Sequence, residues 1–342
     1  MSNIFKKARI LITGGTGSWG HELVHQLLEK YPEIEEIRIY SRGEHRQVEM
    51  MQEFNDNPKL RFIIGDVRDK NILNFAMRNV DIVFHLAALK HVPVAENNTW
   101  EAVLTNIYGT QNVIETAIDN KVKKVVDVST DKAVEPFNHY GITKAAGEKL
   151  MINANFNYSY NHRGETSFIC IRGGNVIGTN GSVIPLFKKQ LQEKNEITVT
   201  HQDMTRYLMS TKEAISLIFT AVENSVGGEL FVMNMPATSL KVIANVMIKL
   251  FGNEKSKIKI IGERPGEKTH EALVSKNESP FTHIFSGQYF VILPQIGNGK
   301  LHGRYDSFKR FTHKEFTSAN TRQLSEDELI ELLKKEKWLW EK

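Results

Sequence analysis

The stretch ARILITGGTGSWG, residues 8–20, decides the fold. It opens as a strand-like apolar run and meets glycine with no intervening loop. Gly14, Gly17 and Gly20 are spaced GxxGxxG, and a helical pattern begins near Ser18. Glycine is required where a turn is tight and where backbone must approach a pyrophosphate. The helix that follows offers unpaired N–H groups and a partial positive charge. Strand, turn and amphipathic helix in succession predict the first unit of a dinucleotide-binding fold.

Working outward, the same alternation repeats. Strand-like runs occur at IRIYS (37–41), LRFIIGD (60–66), DIVFHLAA (81–88), KVVDVST (124–130) and TSFICIR (166–172). Between them lie helical patterns, such as Leu23, Val24, Leu27 and Leu28 on one face of HELVHQLLEK. The segment from Glu101 to Asn120 shows the same spacing with Val103, Leu104, Ile107, Val113, Ile114, Ala117 and Ile118. Nearly all-apolar strands separated by amphipathic helices predict a parallel sheet covered on both faces. The expected class is therefore α/β, a Rossmann-type doubly wound sheet over residues 1–173. A smaller substrate-binding domain is expected over 174–342, with later segments free to return to the sheet. That second half begins with the glycine-rich GGNVIGTNGSVIP and ends in the helical SEDELIELLKKEKW. The stretch from about residue 276 to 320 carries no readable chemistry.

Bulk properties exclude several classes. The 342 residues carry a formal charge of only +4, with basic residues spread along the chain, so nucleic-acid binding has no support. The one cysteine, Cys170, rules out an internal disulfide and reads as a buried thiol in an apolar run. The N-terminal apolar run is too short for a signal peptide, and no run has membrane length, so a cytoplasmic protein without a membrane partner is expected. No metal site is assigned.

The second strand ends Tyr40-Ser41-Arg42, with Arg46 a turn later. An acid usually stands there to hold the ribose 2′-hydroxyl of NAD. A hydroxyl and guanidinium suit a 2′-phosphate instead, so NADP is the expected cofactor. Asp66 and Val67 close the third strand, where Asp66 either meets the adenine edge or caps its loop. The stretch STDKAVEPFNHYGITK, 129–144, places Tyr140 and Lys144 on one helix face. Two close positive charges, Lys144 and an oxidised nicotinamide, would supply the roughly 4 kcal/mol needed to make the phenol a base near neutral pH. Thr130 is placed to bond the same substrate hydroxyl.

These motifs resemble the extended short-chain dehydrogenase/reductase superfamily. Within it, YSRGEHRQ, GDVRD, AALKHVP, TNIYGTQNV, STDKA, GSVIP, MTRYLMS and GERPGEKTHE occur in the order found in UDP-N-acetylglucosamine 4,6-dehydratases. The likeness is greatest to the C5-inverting branch that opens pseudaminic acid synthesis. It implies UDP-N-acetylglucosamine as substrate, a tightly held NADP regenerated each turnover, and a homo-oligomer. It also implies catalytic roles for Thr130, Asp131, Lys132, Tyr140 and Lys144: Tyr140 as base at C4, Lys132 as base at C5, and Asp131 as acid at C6. In water the last two would be ammonium and carboxylate, and inverting both costs roughly 9 kcal/mol. Cofactor contacts carried over are Thr13, Gly14, Thr16, Gly17, Ser18, Trp19, Gly20, Ser41, Arg42, Arg46, Asp66, Val67, Ala87, Ala88, Lys90 and Asn106, besides Tyr140 and Lys144. Substrate contacts carried over are Lys90, His91, Asn175, Ser182, Val183, Arg206, Arg264 and Glu267; His91 also reads as a plain loop residue. One departure stands out, since the family commonly has RYGNV where this chain has RGGNV at 172–176. The rival readings are a UDP-sugar 4-epimerase, which has no need of Asp131 and Lys132, and a non-catalytic NADP-binding scaffold.

Overall fold

The computed structural model describes residues 4–156, 165–178, 182–262, 266–295, 299–336 and 338. Its first half is the expected alternation: β1 (Arg9–Thr13), α1 (Ser18–Lys30), β2 (Glu36–Ser41), α2 (Glu44–Glu53), β3 (Leu60–Ile64), α3 (Lys70–Met77) and β4 (Ile82–His85). Then come α4 (Val92–Asn97), α5 (Thr99–Val103), α6 (Gly109–Asp119), β5 (Lys124–Thr130), α7 (His139–Ala154) and β6 (Ser167–Gly173). Helix α5 runs into α6 through one wider π turn, Leu104–Tyr108, rather than as the uniform helix expected from the spacing. That turn aims Asn106 at the loop after β4, where its amide exchanges hydrogen bonds with Leu89 (2.8 and 3.0 Å).

The second half adds β7 (Asn175–Val176), α8 (Val183–Lys194), β8 (Glu196–Val199), β9 (Thr205–Met209), α9 (Thr211–Asn224), β10 (Leu230–Met233), β11 (Ala237–Ser239) and α10 (Leu240–Phe251). It closes with β12 (Lys257–Ile260), β13 (Ala272–Val274), β14 (Thr282–Ser286), β15 (Tyr289–Ile292), α11 (Gly299–Tyr305), β16 (Phe316–Thr317) and α12 (Glu326–Lys335).

The main sheet has the order β14-β15-β10-β6-β5-β4-β1-β2-β3. Every pair from β3 to β10 is parallel, whereas β15 and β14 add an antiparallel edge. Strand order reverses between β1 and β4, and in such sheets the crevice outside the carboxyl ends of the strands takes the ligand. The chain returns to this sheet after residue 173: β10 extends it and the 282–292 hairpin finishes it. The core is the near-apolar strand interior, including Ile10, Ile12, Ile37, Val83, Val125, Val126 and Phe168. A second apolar cluster joins α8, α10 and α12 through Ile184, Phe187, Leu191, Ile243, Met247 and Leu329. It backs β8 and β12 through Ile197, Val199 and Ile258, and β9 through Leu208; the three small sheets are β11-β9-β7, β12-β8 and β13-β16. Cys170 is fully buried in β6, and burial raises its thiol well above the ordinary value. No helix among the described residues is long and apolar enough to cross a membrane.

Candidate active site

A cavity of about 800 Å³ opens at the carboxyl ends of β1, β2, β4 and β5. One end is the glycine turn. Gly14 has φ +67°, and a Cβ there would stand 2.8 Å from the Ala87 backbone. A Cβ on Gly20 would overlap the Gly15 carbonyl oxygen, so helix and turn meet backbone to backbone. Helix α1 has Gly17 as its N-cap, no side-chain cap and no acid in its first turn. Its N-terminal N–H groups therefore face the cavity with their partial positive charge uncancelled. This cradle fits a dinucleotide pyrophosphate.

Thr16, Ser18, Trp19, Ser41, Arg42, Arg46, Asp66, Val67, Ala87, Ala88, Lys90 and His91 all line the cavity as well. Ser41 is buried and accepts a hydrogen bond from Gln47 Nε2 (3.0 Å). Burial alone would raise the Asp66 carboxyl. Hydrogen bonds from Arg68, with the charges of Arg68 and Arg42, hold it below its usual range. Its carboxylate is thus engaged as a loop cap, accepting from the Arg68 backbone at 3.0 Å. Partial burial lowers the Lys90 ammonium, which has no ion-pair partner among the described residues.

The other end gathers the candidate catalytic side chains. Thr130 closes β5, and the chain then turns through Asp131–Ala133 before α7 begins. Asn138 caps α7 by accepting the Gly141 N–H (2.8 Å), while its amide donates to the Gly266 carbonyl (2.9 Å). These two turns bring Thr130, Asp131, Lys132 and Tyr140 to one wall, with Asn175 of β7 nearby. The Thr130 hydroxyl donates to Asp131 Oδ1 (2.9 Å), which also accepts from Lys132 Nζ (3.0 Å). Asp131 Oδ2 and Asn175 Oδ1 are buried with no hydrogen-bond partner among the described residues.

The family of polysaccharide biosynthesis proteins matches residues 10–292. The chain belongs to that family. It is an extended short-chain dehydrogenase/reductase in sequence and in strand order. A relative named UDP-N-acetylglucosamine 4,6-dehydratase (inverting), from Campylobacter jejuni, is 44% identical over 86% of this chain and 85% of its own. A Rickettsia bellii protein named UDP-glucose 4-epimerase is 42% identical over 96% of each chain. The crystal structure of Pen from Bacillus thuringiensis superposes with TM-score 0.88 at 39% identity, covering 97% of this chain and 99% of that one.

In this family member several expected contacts lie behind the cavity wall. Thr13 is buried and bonded to His85 Nδ1 (2.7 Å). Asn106 is saturated by Leu89 and by Thr143 Oγ1 (3.0 Å), so it braces the loop that carries Lys90. Lys144 stands behind Tyr140. Its ammonium is 3.2 and 3.3 Å from the Asp127 carboxylate oxygens, with both side chains buried. Ser182 and Val183 sit at the start of α8, away from the cavity lining. Arg206 donates to the Thr205 and Thr269 carbonyls (2.7 and 3.2 Å) and bridges to Glu271 at 3.8 Å. Glu267 follows the Gly266 turn, also off the lining. Arg264 lies outside the described residues.

Three neighbours escaped the sequence reading. Asp127 is one, although a lone acid inside KVVDVST was a usable signal, because a buried carboxylate needs a cation. Glu271 is another: it is 3% exposed, lies 3.8 Å from Lys132 and has Oε2 unpaired among the described residues. The third is Tyr207, fully buried with its hydroxyl unpartnered among the described residues. Gly173, where the family pattern has tyrosine, is explained by Trp19. A Cβ on Gly173 would lie 3.0 Å from the indole Cη2, so the Trp19 ring fills that space.

Charge states differ from the simple expectation. Burial raises the Tyr140 phenol; Lys144, Lys132 and a hydrogen bond with Thr130 pull it down, and Asp131 pushes it up. The net direction is upward, because desolvation by burial is the largest of these effects. Burial opposes the Lys132 charge, yet Asp131 and Glu271 raise it strongly overall.

Proposed function

We propose that the chain is an NADP-dependent UDP-N-acetylglucosamine 4,6-dehydratase of the C5-inverting kind, serving surface glycan or pseudaminic acid synthesis in the cytoplasm. The single observation that carries this reading is the Asp131–Lys132 pair on the cavity wall beside Tyr140. An epimerase needs a base at C4 and freedom for the sugar to turn over, but no acid–base pair at C5 and C6. The name of the Campylobacter jejuni relative and the tyrosine at position 140 support the same choice.

Uncapped helix N–H groups on α1 would hold the pyrophosphate, while Ser41, Arg42 and Arg46 would hold a 2′-phosphate. A bound nicotinamide would supply the hydride chemistry, acceptance at C4 and return at C6. Tyr140, positioned by α7 and bonded to Thr130, accepts the C4 hydroxyl proton. Oxidation at C4 acidifies the C5 hydrogen, which Lys132 removes, and Asp131 protonates the C6 oxygen as it leaves as water. Lys90, His91 and Asn175 face the sugar end of the cavity. Exposed Trp100, Tyr108, Phe137 and Ile142 lie on α5, the adjoining π turn, the loop before α7 and the start of α7, and this apolar surface supports a homo-oligomer.

The epimerase reading has its own support in the Rickettsia bellii relative. Incubation with UDP-N-acetylglucosamine in D2O separates the two. The dehydratase product has lost one water and carries deuterium at C5, with the C5 configuration read by NMR. An epimer of unchanged mass as sole product would overturn the proposal, and tight NADP binding without turnover would favour a scaffold.

A further inference from the structure

Lys132 has two carboxylate neighbours, and they come from different parts of the chain. Asp131 precedes it in the turn after β5 and lies 3.0 Å away. Glu271 reaches it from the residue before β13, at 3.8 Å. Glu271 is fixed independently of the substrate. Its backbone N–H donates to Ser318 Oγ (2.9 Å), its carbonyl accepts the Ser318 N–H (2.8 Å), and Arg206 stands 3.8 Å from the same Oε1. The second oxygen, Oε2, is buried with no partner among the described residues, which is costly unless the charge has work to do.

A two-residue acid–base pair contains a conflict. For Asp131 to protonate the C6 oxygen it must hold a proton, and it then ceases to be the counter-charge of Lys132. The ammonium formed when Lys132 takes the C5 proton would then arise in a buried site with no adjacent anion. Glu271 removes that conflict. We propose that Glu271 is a positioning residue whose carboxylate stays ionised while Asp131 is protonated, and so stabilises the Lys132 ammonium as it forms. This deepens the dehydratase reading and rests on it.

The proton balance closes. With Asp131 protonated and Lys132 neutral, Lys132 takes the C5 proton and becomes ammonium beside Glu271. Asp131 gives its proton to the departing C6 hydroxyl, which leaves as water. After hydride returns to C6, C5 takes a proton from water on the face opposite Lys132, as inversion requires, and the hydroxide so formed is neutralised by the Lys132 ammonium, which becomes the free amine again. Asp131 is reloaded by the proton that Tyr140 took from the C4 hydroxyl. Glu271 exchanges no proton throughout, since its task is to keep a charge in place where the dielectric is low.

The test uses the wild type, Glu271→Gln and Glu271→Asp in the full chain, with melting curves to establish that each variant folds. C4 oxidation is followed as reduced nicotinamide in a single turnover, and C5 exchange as deuterium entry by NMR. Glu271→Gln is expected to keep C4 oxidation within about threefold and to slow C5 exchange by roughly 10–100-fold, the range for loss of one preorganised electrostatic partner. Glu271→Asp is expected to recover part of the exchange. In the ligand-free protein, the Lys132 ammonium titrates lower in Glu271→Gln; Asp131, Tyr140, Arg206 and Tyr207 are the other titratable groups around it. Equal loss of oxidation and exchange, or an unmoved Lys132 titration, would overturn the inference while leaving the dehydratase reading intact. A wild type that releases no water and exchanges no C5 hydrogen overturns both.

Discussion

Asp127→Asn is the most informative single perturbation outside the cavity. It keeps the shape of the side chain and removes the charge that faces Lys144 at 3.2 and 3.3 Å. Asp127 is wholly buried and Lys144 is 2% exposed, so water cannot substitute for the lost carboxylate. At that separation and an effective dielectric near 20, the pairwise attraction is about 5 kcal/mol. Truncating one member of a buried pair typically costs about 3–5 kcal/mol, because the survivor remains buried and uncompensated. That is a large fraction of a whole protein's stability and corresponds to a fall in melting temperature on the order of 10 °C.

The discriminating measurement is a double-mutant cycle by urea unfolding. Asp127→Asn alone is expected to lose about 3–5 kcal/mol, whereas Asp127→Asn with Lys144→Met leaves no buried charge and regains at least about 2 kcal/mol. Activity separates stability from chemistry. The double variant regains stability but not C4 oxidation, since the cation that pulls down Tyr140 is gone. A loss below about 1 kcal/mol for Asp127→Asn would mean that the pair is solvated after all. A double variant no more stable than the single one would show that the unpaired lysine is not the cause.

Arg42→Ala is expected to weaken NADP binding roughly 10–100-fold and to change NAD binding little, as expected for the loss of charged hydrogen bonds to a 2′-phosphate; calorimetry with both cofactors checks this, and equal losses would refute the assignment. His85 is buried between Thr13 and Thr110, and burial lowers it from 6.5 to about 4, with the Asp127 charge opposing and that of Lys144 reinforcing the shift. The folded state thus binds fewer protons than the unfolded state between those values. His85 therefore contributes stability that is full above pH 6.5 and falls away towards pH 4, on the order of 3 kcal/mol; His85→Asn should flatten that part of the stability profile. Gly173→Tyr forces the Trp19 ring aside and should cost about 1–3 kcal/mol by melting, and Trp19→Ala in the same chain should restore most of it.

The parallel half of the sheet was legible because each strand declares itself locally, through apolar residues and the glycine turn. The antiparallel edge was not. Strands β14 and β15 lie in a stretch with no readable chemistry, and only the pairing of β15 with β10, some sixty residues earlier, makes the hairpin part of the main sheet. The site divides the same way. Thr130, Asp131, Lys132, Tyr140 and Lys144 are close in sequence, so one stretch of 16 residues presents them together. Glu271 reaches Lys132 across 139 residues (271 − 132), and a single sequence holds no record of that approach. Arg206 was read as a substrate contact because its charge is visible in sequence, while the carbonyls that occupy it are not.

The buried face of α7 fixes the helix that carries the proposed base, Tyr140. Tyr140, Lys144 and Glu148 follow one another at four-residue spacing, so all three point toward the sheet. Lys144 pairs with Asp127 of β5; Glu148 accepts two hydrogen bonds from Arg172 of β6 (2.8 and 2.7 Å). The same guanidinium bonds Glu278 (3.0 and 2.8 Å), which ties the helix and β6 to the segment just before β14. Apolar side chains of equal volume would hold α7 at least as firmly, since buried ion pairs seldom add net stability. They would also tolerate a small rotation or slide, because apolar contacts are non-directional. A rotation of α7 breaks two buried pairs at once, each break costing about 3–5 kcal/mol. Asn138, bonded at the helix start to Gly141 and Gly266, removes the remaining freedom. Displacement of a reacting group by about 1 Å lowers rates on the order of a hundredfold. A register held by charge at positions 144 and 148 is thus what keeps the Tyr140 hydroxyl beside Thr130 while substrate and product pass.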